Sequence, residues 1–154
     1  MQVKDAMSEG VRIANPNQTI REAAHMMAEI DAGFIPVGDN DKLVGMITDR
    51  DIAIRAVAMG KGPETPVSEI MSREVMYCFA DDDIDDVAQN MADLKIRRMP
   101  VLNENKRLVG VISLADIALS EGPDPAGEAI CGISEPGGLH SQSIDGGRRA
   151  GQLA

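Results

Sequence analysis

The sequence predicts an α/β (α+β) protein built from two tandem β-α-β-β-α repeats, and three observations predict it. The stretch Leu43-Val44-Gly45-Met46-Ile47-Thr48-Asp49-Arg50-Asp51-Ile52-Ala53 returns as Leu108-Val109-Gly110-Val111-Ile112-Ser113-Leu114-Ala115-Asp116-Ile117-Ala118. Val3, Met7 and Ser8 are answered by Val67, Met71 and Ser72, and Pro36-Val37 by Pro100-Val101, at a constant shift of 64 residues. One extra residue in 103–106 makes the later shift 65, which places the insertion where a surface turn tolerates it. Finally, Ile20, Ala23, Ala24, Met27 and Ile30 recur with helical period, and Ile84, Val87, Ala88, Met91 and Leu94 repeat them.

Each element follows from local chemistry. Val11–Ala14 and Val75–Cys78 are short and partly β-branched, as expected of a strand or an extended lead-in. The helix after the first opens on Thr19 with Glu22 three residues on, a capping box. The helix after the second opens on Asp83 with Asp86, an N-cap with favourable negative charge behind it. Phe34-Ile35-Pro36-Val37 and Arg98-Met99-Pro100-Val101 are strands that proline restricts to an edge or to short length. Polar turns at 38–41 and 103–106 then lead to the Leu-Val-Gly strands, so that each pair forms a hairpin.

The resulting organisation is a first repeat over 1–60, a linker over 61–66 rich in Gly and Pro, and a second repeat over 67–121. Residues 122–154 are rich in Gly, Pro and Ser and are expected to form a flexible tail, docked locally around Ile130 to Ile133. A chain of 154 residues with 44% hydrophobic side chains can bury one substantial core or two small ones. With no Trp, one Tyr and two Phe, that core is aliphatic, and ten Met residues supply adaptable filling.

Charge and cysteine usage exclude several functions. Fifteen basic against 25 acidic residues leave a formal charge of −10, which repels a phosphate backbone and disfavours DNA or RNA as partner. A small phosphate ligand stays possible, because a few arginines and backbone N–H groups can hold one. Cys78 and Cys131 lie far apart and have no metal-ligand spacing with His25 or His140, so neither a disulfide scaffold nor a zinc site is expected. Cys78 reads as a small apolar strand residue, and both histidines read as solvated. No long apolar run follows Lys4 and Asp5, so the chain is expected to be cytoplasmic, with no membrane partner.

The two G-x-x-[ST]-x-x-D turns carry the chemistry. A hydroxyl and free N–H groups at a helix start can meet a phosphate or sugar, and a carboxylate three residues on can accept ribose hydroxyls. Gly45 and Gly110 permit close backbone approach. For one isolated copy the simpler account is a helix cap, because Thr48-x-x-Asp51 and Ser113-x-x-Asp116 are capping boxes in form.

Over roughly residues 1 to 121 the repeat resembles a tandem pair of CBS domains, the module named after cystathionine β-synthase and also called a Bateman module, in a stand-alone bacterial form. The resemblance implies two CBS repeats packed as a pseudo-two-fold module, with adenosine nucleotides bound in the clefts between them. It implies that Asp51 and Asp116 hold ribose hydroxyls and that Thr48 and Ser113 sit beside the ribose or phosphates. Ile35-Pro36 and Met99-Pro100 flank the base, with Ile13 and Tyr77 as weaker candidates from the lead-ins. For Ile35, Met99 and Ile13 ordinary core packing is the simpler account.

The copies differ in their cations. Arg50 faces Ala115 in the repeat, and Arg97-Arg98 face Gly33-Phe34. Arginine suits bidentate phosphate recognition, so Arg50 and Arg98 are candidate phosphate contacts and the two sites should differ in affinity. Pairing of Arg50 with neighbouring Asp49 is the alternative.

The reading that follows is a non-enzymatic regulatory or sensor module. It binds an adenine nucleotide (AMP, ATP or NAD), forms a homodimer, and signals occupancy to a regulated protein on another chain, since no catalytic domain fits beside the repeats in 154 residues. No catalytic cofactor or metal is expected, and no nucleophile–base pair or Walker pattern supports an enzyme. The competing reading is a ligand-free scaffold or stress-associated oligomerisation protein with vestigial sites.

Overall fold

The computed structural model describes residues 1–135. The chain divides into two compact units that interleave in sequence. Glu9–Tyr77 and Leu102–Val109 form the unit of the first repeat. Met1–Ser8, Cys78–Val101 and the described residues from 110 onward form the unit of the second.

In the first-repeat unit, α1 (Ile20–Ile30) starts at Thr19, whose hydroxyl accepts the Glu22 N–H at 3.1 Å. Glu22 does not return the bond, so only half of the expected capping box forms. The helix ends at Asp31 in the left-handed conformation, φ 52°. Ile20, Ala23, Met26 and Met27 are buried. Ala24 and Ile30, expected to face inward, are exposed, because the buried stripe runs through Met26 instead.

Strand β1 (Phe34–Asp39) pairs antiparallel with β2 (Lys42–Thr48), with an irregularity at Val37/Gly38. Asn40 and Asp41 join them, both at positive φ (51° and 66°), the two-residue turn whose twist matches that of the strands. The lead-in over 11–14 contributes one parallel bridge, Ala14 to Val37, made by Ala14 N–H to Pro36 O and Gly38 N–H to Ala14 O. The next rung would need a donor at residue 36, which proline lacks. After β2 the chain enters α2 (Asp49–Asp51), which widens into π-helical turns over Ile52–Val57. A short helix, α3 (Val67–Ile70), follows the linker. Ala14, Ile20, Ala23, Met26, Met27, Ile35, Val37, Ile47, Ala56, Val67, Ile70 and Met71 form one buried aliphatic cluster.

The second repeat, whose residues Leu102–Val109 group with the first-repeat unit, holds β3 (Cys78–Phe79), α4 (Ile84–Leu94), β4 (Arg98–Leu102), β5 (Leu108–Ser113) and α5 (Leu114–Glu121), with strand order β3-β4-β5. Asp83 caps α4 through Asp85 N–H at 2.8 Å. The extra residue of the β4–β5 turn is absorbed by Lys106 at φ 60°, while the Asn103 side-chain oxygen accepts N–H bonds from Asn105 (2.9 Å) and Arg107 (3.0 Å).

The opening segments of the two repeats, 1–8 and 67–72, which precede the lead-ins, are exchanged. Ser8 and Val111 trade backbone bonds of 2.9 and 3.0 Å, so the opening segment of the first repeat completes the strand of the second. Ser72 and Met46 trade bonds of 2.8 and 2.9 Å in the mirror arrangement.

The tail departs from expectation. Pro123–Ser134 is a helix, α6, with proline in its first turn. Ala126 and Ala129 are buried, and Gly132 lies so close to Ala92 of α4 that an added methyl group would come within 2.7 Å of its Cβ. Lys95 Nζ closes the helix end, donating to the carbonyls of Gly132 (3.1 Å) and Glu135 (3.3 Å). Small residues give little hydrophobic signal in a sequence, yet they allow close helix approach. The remainder of the expected tail, 136–154 with His140, lies outside the described residues. No helix among the described residues is long and apolar enough to cross a membrane.

Candidate functional site

Both turns close as full capping boxes. Thr48 Oγ1 accepts the Asp51 N–H at 3.0 Å, and Asp51 Oδ2 accepts the Thr48 N–H at 3.0 Å. The second copy repeats this with Asp116 N–H to Ser113 Oγ at 3.1 Å and Ser113 N–H to Asp116 Oδ2 at 2.9 Å. In each, the residue after the hydroxyl donates to the chain just before the first strand of the hairpin: Asp49 N–H to Gly33 O at 2.8 Å, Leu114 N–H to Arg97 O at 2.9 Å. Strand pairing of Phe34 with Thr48 fixes the same relation in the first copy. The helix start and the strand start are thus held together, and each hydroxyl–carboxylate pair occupies a set position.

The carboxylates have different surroundings. Asp51 is 4% exposed, and its second oxygen, Oδ1, lies 3.6 Å from Arg55 Nε. The Arg55 guanidinium also donates to Ile70 O at 3.3 Å. Asp116 is half-buried and has no ion pair among the described residues. Ser120, which stands four residues on, turns its hydroxyl back to Asp116 O at 2.8 Å. Arg55 escaped the reading of the sequence, although an Asp–Arg pair at i,i+4 is a recognised helix spacing.

Arg50 is exposed. Its guanidinium makes no ion pair with Asp49; Asp49 Oδ1 instead accepts the Arg50 backbone N–H at 2.8 Å. Arg98 is half-buried at the start of β4. Ile35 and Met99 are 0% and 2% exposed and Pro36 and Pro100 are buried beside them, as ordinary core packing requires. Ile13 and Tyr77 are each 43% exposed.

Gly45 and Gly110 are required by the chain itself. A methyl group at Gly45 would meet Ser72 O at 2.8 Å and Met71 Sδ at 2.7 Å; at Gly110 it would meet Ser8 O at 2.7 Å and Met7 Sδ at 2.8 Å. The close approach expected at these glycines is made by the exchanged segments around Met7-Ser8 and Met71-Ser72.

A cleft of about 820 Å³ lies between α4 and α6, and one of about 480 Å³ beside the β1–β2 turn. Neither is lined by Thr48, Asp51, Ser113 or Asp116, while Ile13 lines the second. Among the described residues no three His, Cys, Asp or Glu side chains group as a metal site. Cys78 is buried at the sheet, and burial, with Asp82 adding to it, pushes its thiol up to about 12.

The CBS domain family matches residues 3–57 and 67–120. The chain is 44% identical over 133 residues to the CBS domain-containing protein YhcV of Bacillus subtilis, covering 86% of this chain and 94% of that one. It is 39% identical over 117 residues to hypoxic response protein 1 of Mycobacterium tuberculosis, covering 75% and 81%. Among solved structures, it matches the CBS domain pair of protein MJ0100 in complex with 5′-methylthioadenosine and S-adenosyl-L-methionine, at TM-score 0.72 and 34% identity over 79% of this chain and 96% of that one. It also matches hypoxic response protein I with two coordinated zinc ions, at TM-score 0.71 and 38% identity over 78% and 98%.

Proposed function

The chain belongs to the CBS domain family as a tandem pair, and on that premise we propose that it is a regulatory module that binds an adenine nucleotide at the turns Thr48–Asp51 and Ser113–Asp116. The observation that carries this reading is the duplicated capping box, which holds a hydroxyl and a carboxylate in the same relation twice. A carboxylate accepts the hydroxyls of a ribose, and the N–H groups and hydroxyl at a helix start suit a phosphate. The MJ0100 pair, solved with two adenosine derivatives, supports adenosine as the ligand class.

Arg50 and Arg98 are proposed as phosphate contacts. The backbone of Ile35-Pro36 and Met99-Pro100 is proposed to flank the base, with Ile13 and Tyr77 at its edge. AMP, ATP and NAD are the candidate ligands, in a cytoplasmic homodimer that signals to a separate protein. The exposed apolar side chains Ile54, Val57 and Met59 (51%, 68% and 71%) support self-association. A ligand shifts such a module only by binding one of its states more tightly.

Calorimetric titration with AMP, ATP, NAD and S-adenosyl-L-methionine tests the reading. Saturable binding of at least one, abolished in the Asp51→Asn, Asp116→Asn double variant, is the expected result. No binding of any of them, together with a solution mass that no nucleotide changes, establishes the scaffold reading in its place.

A further inference from the structure

We infer that Arg55 holds the first site back, so that the turn at Ser113–Asp116 fills before the turn at Thr48–Asp51. This inference rests on the nucleotide reading of the two turns and adds an order to it.

A ribose presents two neighbouring hydroxyls, and a carboxylate that takes both must have acceptor capacity left on its oxygens. In each copy one oxygen, Oδ2, is already used by the backbone N–H of the capping box. The difference lies in Oδ1. At Asp51 this oxygen faces Arg55 Nε at 3.6 Å, an ion-pair distance, within a side chain that is 4% exposed. Arg55 is also tied to Ile70 O at 3.3 Å, so its guanidinium is held in place beside the carboxylate. At Asp116 no cation stands beside Oδ1 among the described residues, the side chain is half-buried, and Ser120 is turned away onto a backbone carbonyl.

A diol arriving at Asp116 finds a carboxylate oxygen with no described cation beside it. At Asp51 it must share or displace an arginine, and breaking a close ion pair in a desolvated setting opposes binding. Two occupancy thresholds on one chain follow.

Titration of the full chain with AMP, in wild type and in Arg55→Met and Ser120→Arg variants, tests this. Asp51→Asn and Asp116→Asn variants assign each binding step to its turn. The expected result is a tighter step lost in Asp116→Asn and a weaker one lost in Asp51→Asn. Arg55→Met should tighten the weaker step about tenfold, the scale of one hydrogen bond to a charged group. Ser120→Arg should weaken the tighter step by a similar factor. Should Arg55→Met melt too low to titrate, Ser120→Arg carries the same test at the other turn. Binding that responds to the Asp variants but is unchanged or weakened in Arg55→Met, or unchanged in Ser120→Arg, overturns the role of Arg55 alone. AMP binding that neither Asp variant alters, or none at all, overturns the nucleotide reading and this inference with it.

Discussion

Gly110 lies directly against the carbonyl oxygen of Ser8, so close that a methyl group on it would come within 2.7 Å of that atom. Gly45 stands in the same relation to Ser72, at 2.8 Å. In both, the obstructing atom belongs to backbone that is hydrogen-bonded to the next residue of the strand, Val111 or Met46. Neither can move aside without breaking that bridge. Gly110→Ala and Gly45→Ala are each expected to destabilise the protein by about 1–3 kcal/mol, the range for overpacking. Urea denaturation measures it, and an unchanged midpoint would show that the segments around Ser8 and Ser72 do not bind where described.

The capping role of the two hydroxyls is separable from any ligand. Thr48→Ala and Ser113→Ala should each cost about 1 kcal/mol in ligand-free protein, and Thr48→Ser should cost far less, because it keeps the acceptor for the Asp51 N–H. Chemical denaturation of the three variants without nucleotide provides the comparison.

Helix α6 depends on Lys95, whose ammonium closes its C-terminal end through Gly132 O and Glu135 O. Lys95 also sits at φ 57°, a conformation that Asn tolerates. Lys95→Asn should therefore spare α4 while speeding amide exchange in the last turn of α6. Equal protection of that turn in both proteins would rule out the cap.

The two cysteines should react differently. Cys131 is exposed and should take up a thiol reagent in the folded protein, whereas Cys78 should react only after denaturation. The Cys78 thiol, pushed up from 9.0 to about 12 by burial, keeps its proton where the unfolded chain loses it. Stability should accordingly fall as pH rises through the interval from about 9 to 12, and Cys78→Ala should remove that part of the alkaline decline.

Much of this structure is legible in the chain. The periodicity of Ile84, Val87, Ala88, Met91 and Leu94 locates a helix and its buried face, except that Leu94 at the helix end is exposed, and the Leu-Val-Gly strands and polar turns locate two hairpins. What local patterns miss depends on neighbours distant in sequence. Met26 is buried in place of Ala24, and a run of Ala and Gly becomes α6 because α4 offers a surface it can approach closely. The candidate site divides in the same way. Thr48-x-x-Asp51 and Ser113-x-x-Asp116 are visible as spacing, while the burial of Asp51 and the fixing of Arg55 by Ile70 O are not.

By itself, the sequence determined the duplication, the order of elements within each copy and the two hydroxyl–carboxylate turns, since these rest on periods and spacings of a few residues. Tertiary structure alone decided that the opening segment of each repeat completes the strand of the other, that both motif glycines serve that crossing, and that Asp51 is buried against Arg55 while Asp116 has no ion pair among the described residues. The crossings depend on atoms 26 to 103 positions apart and the arginine contact on the burial around it, and a one-dimensional pattern encodes neither.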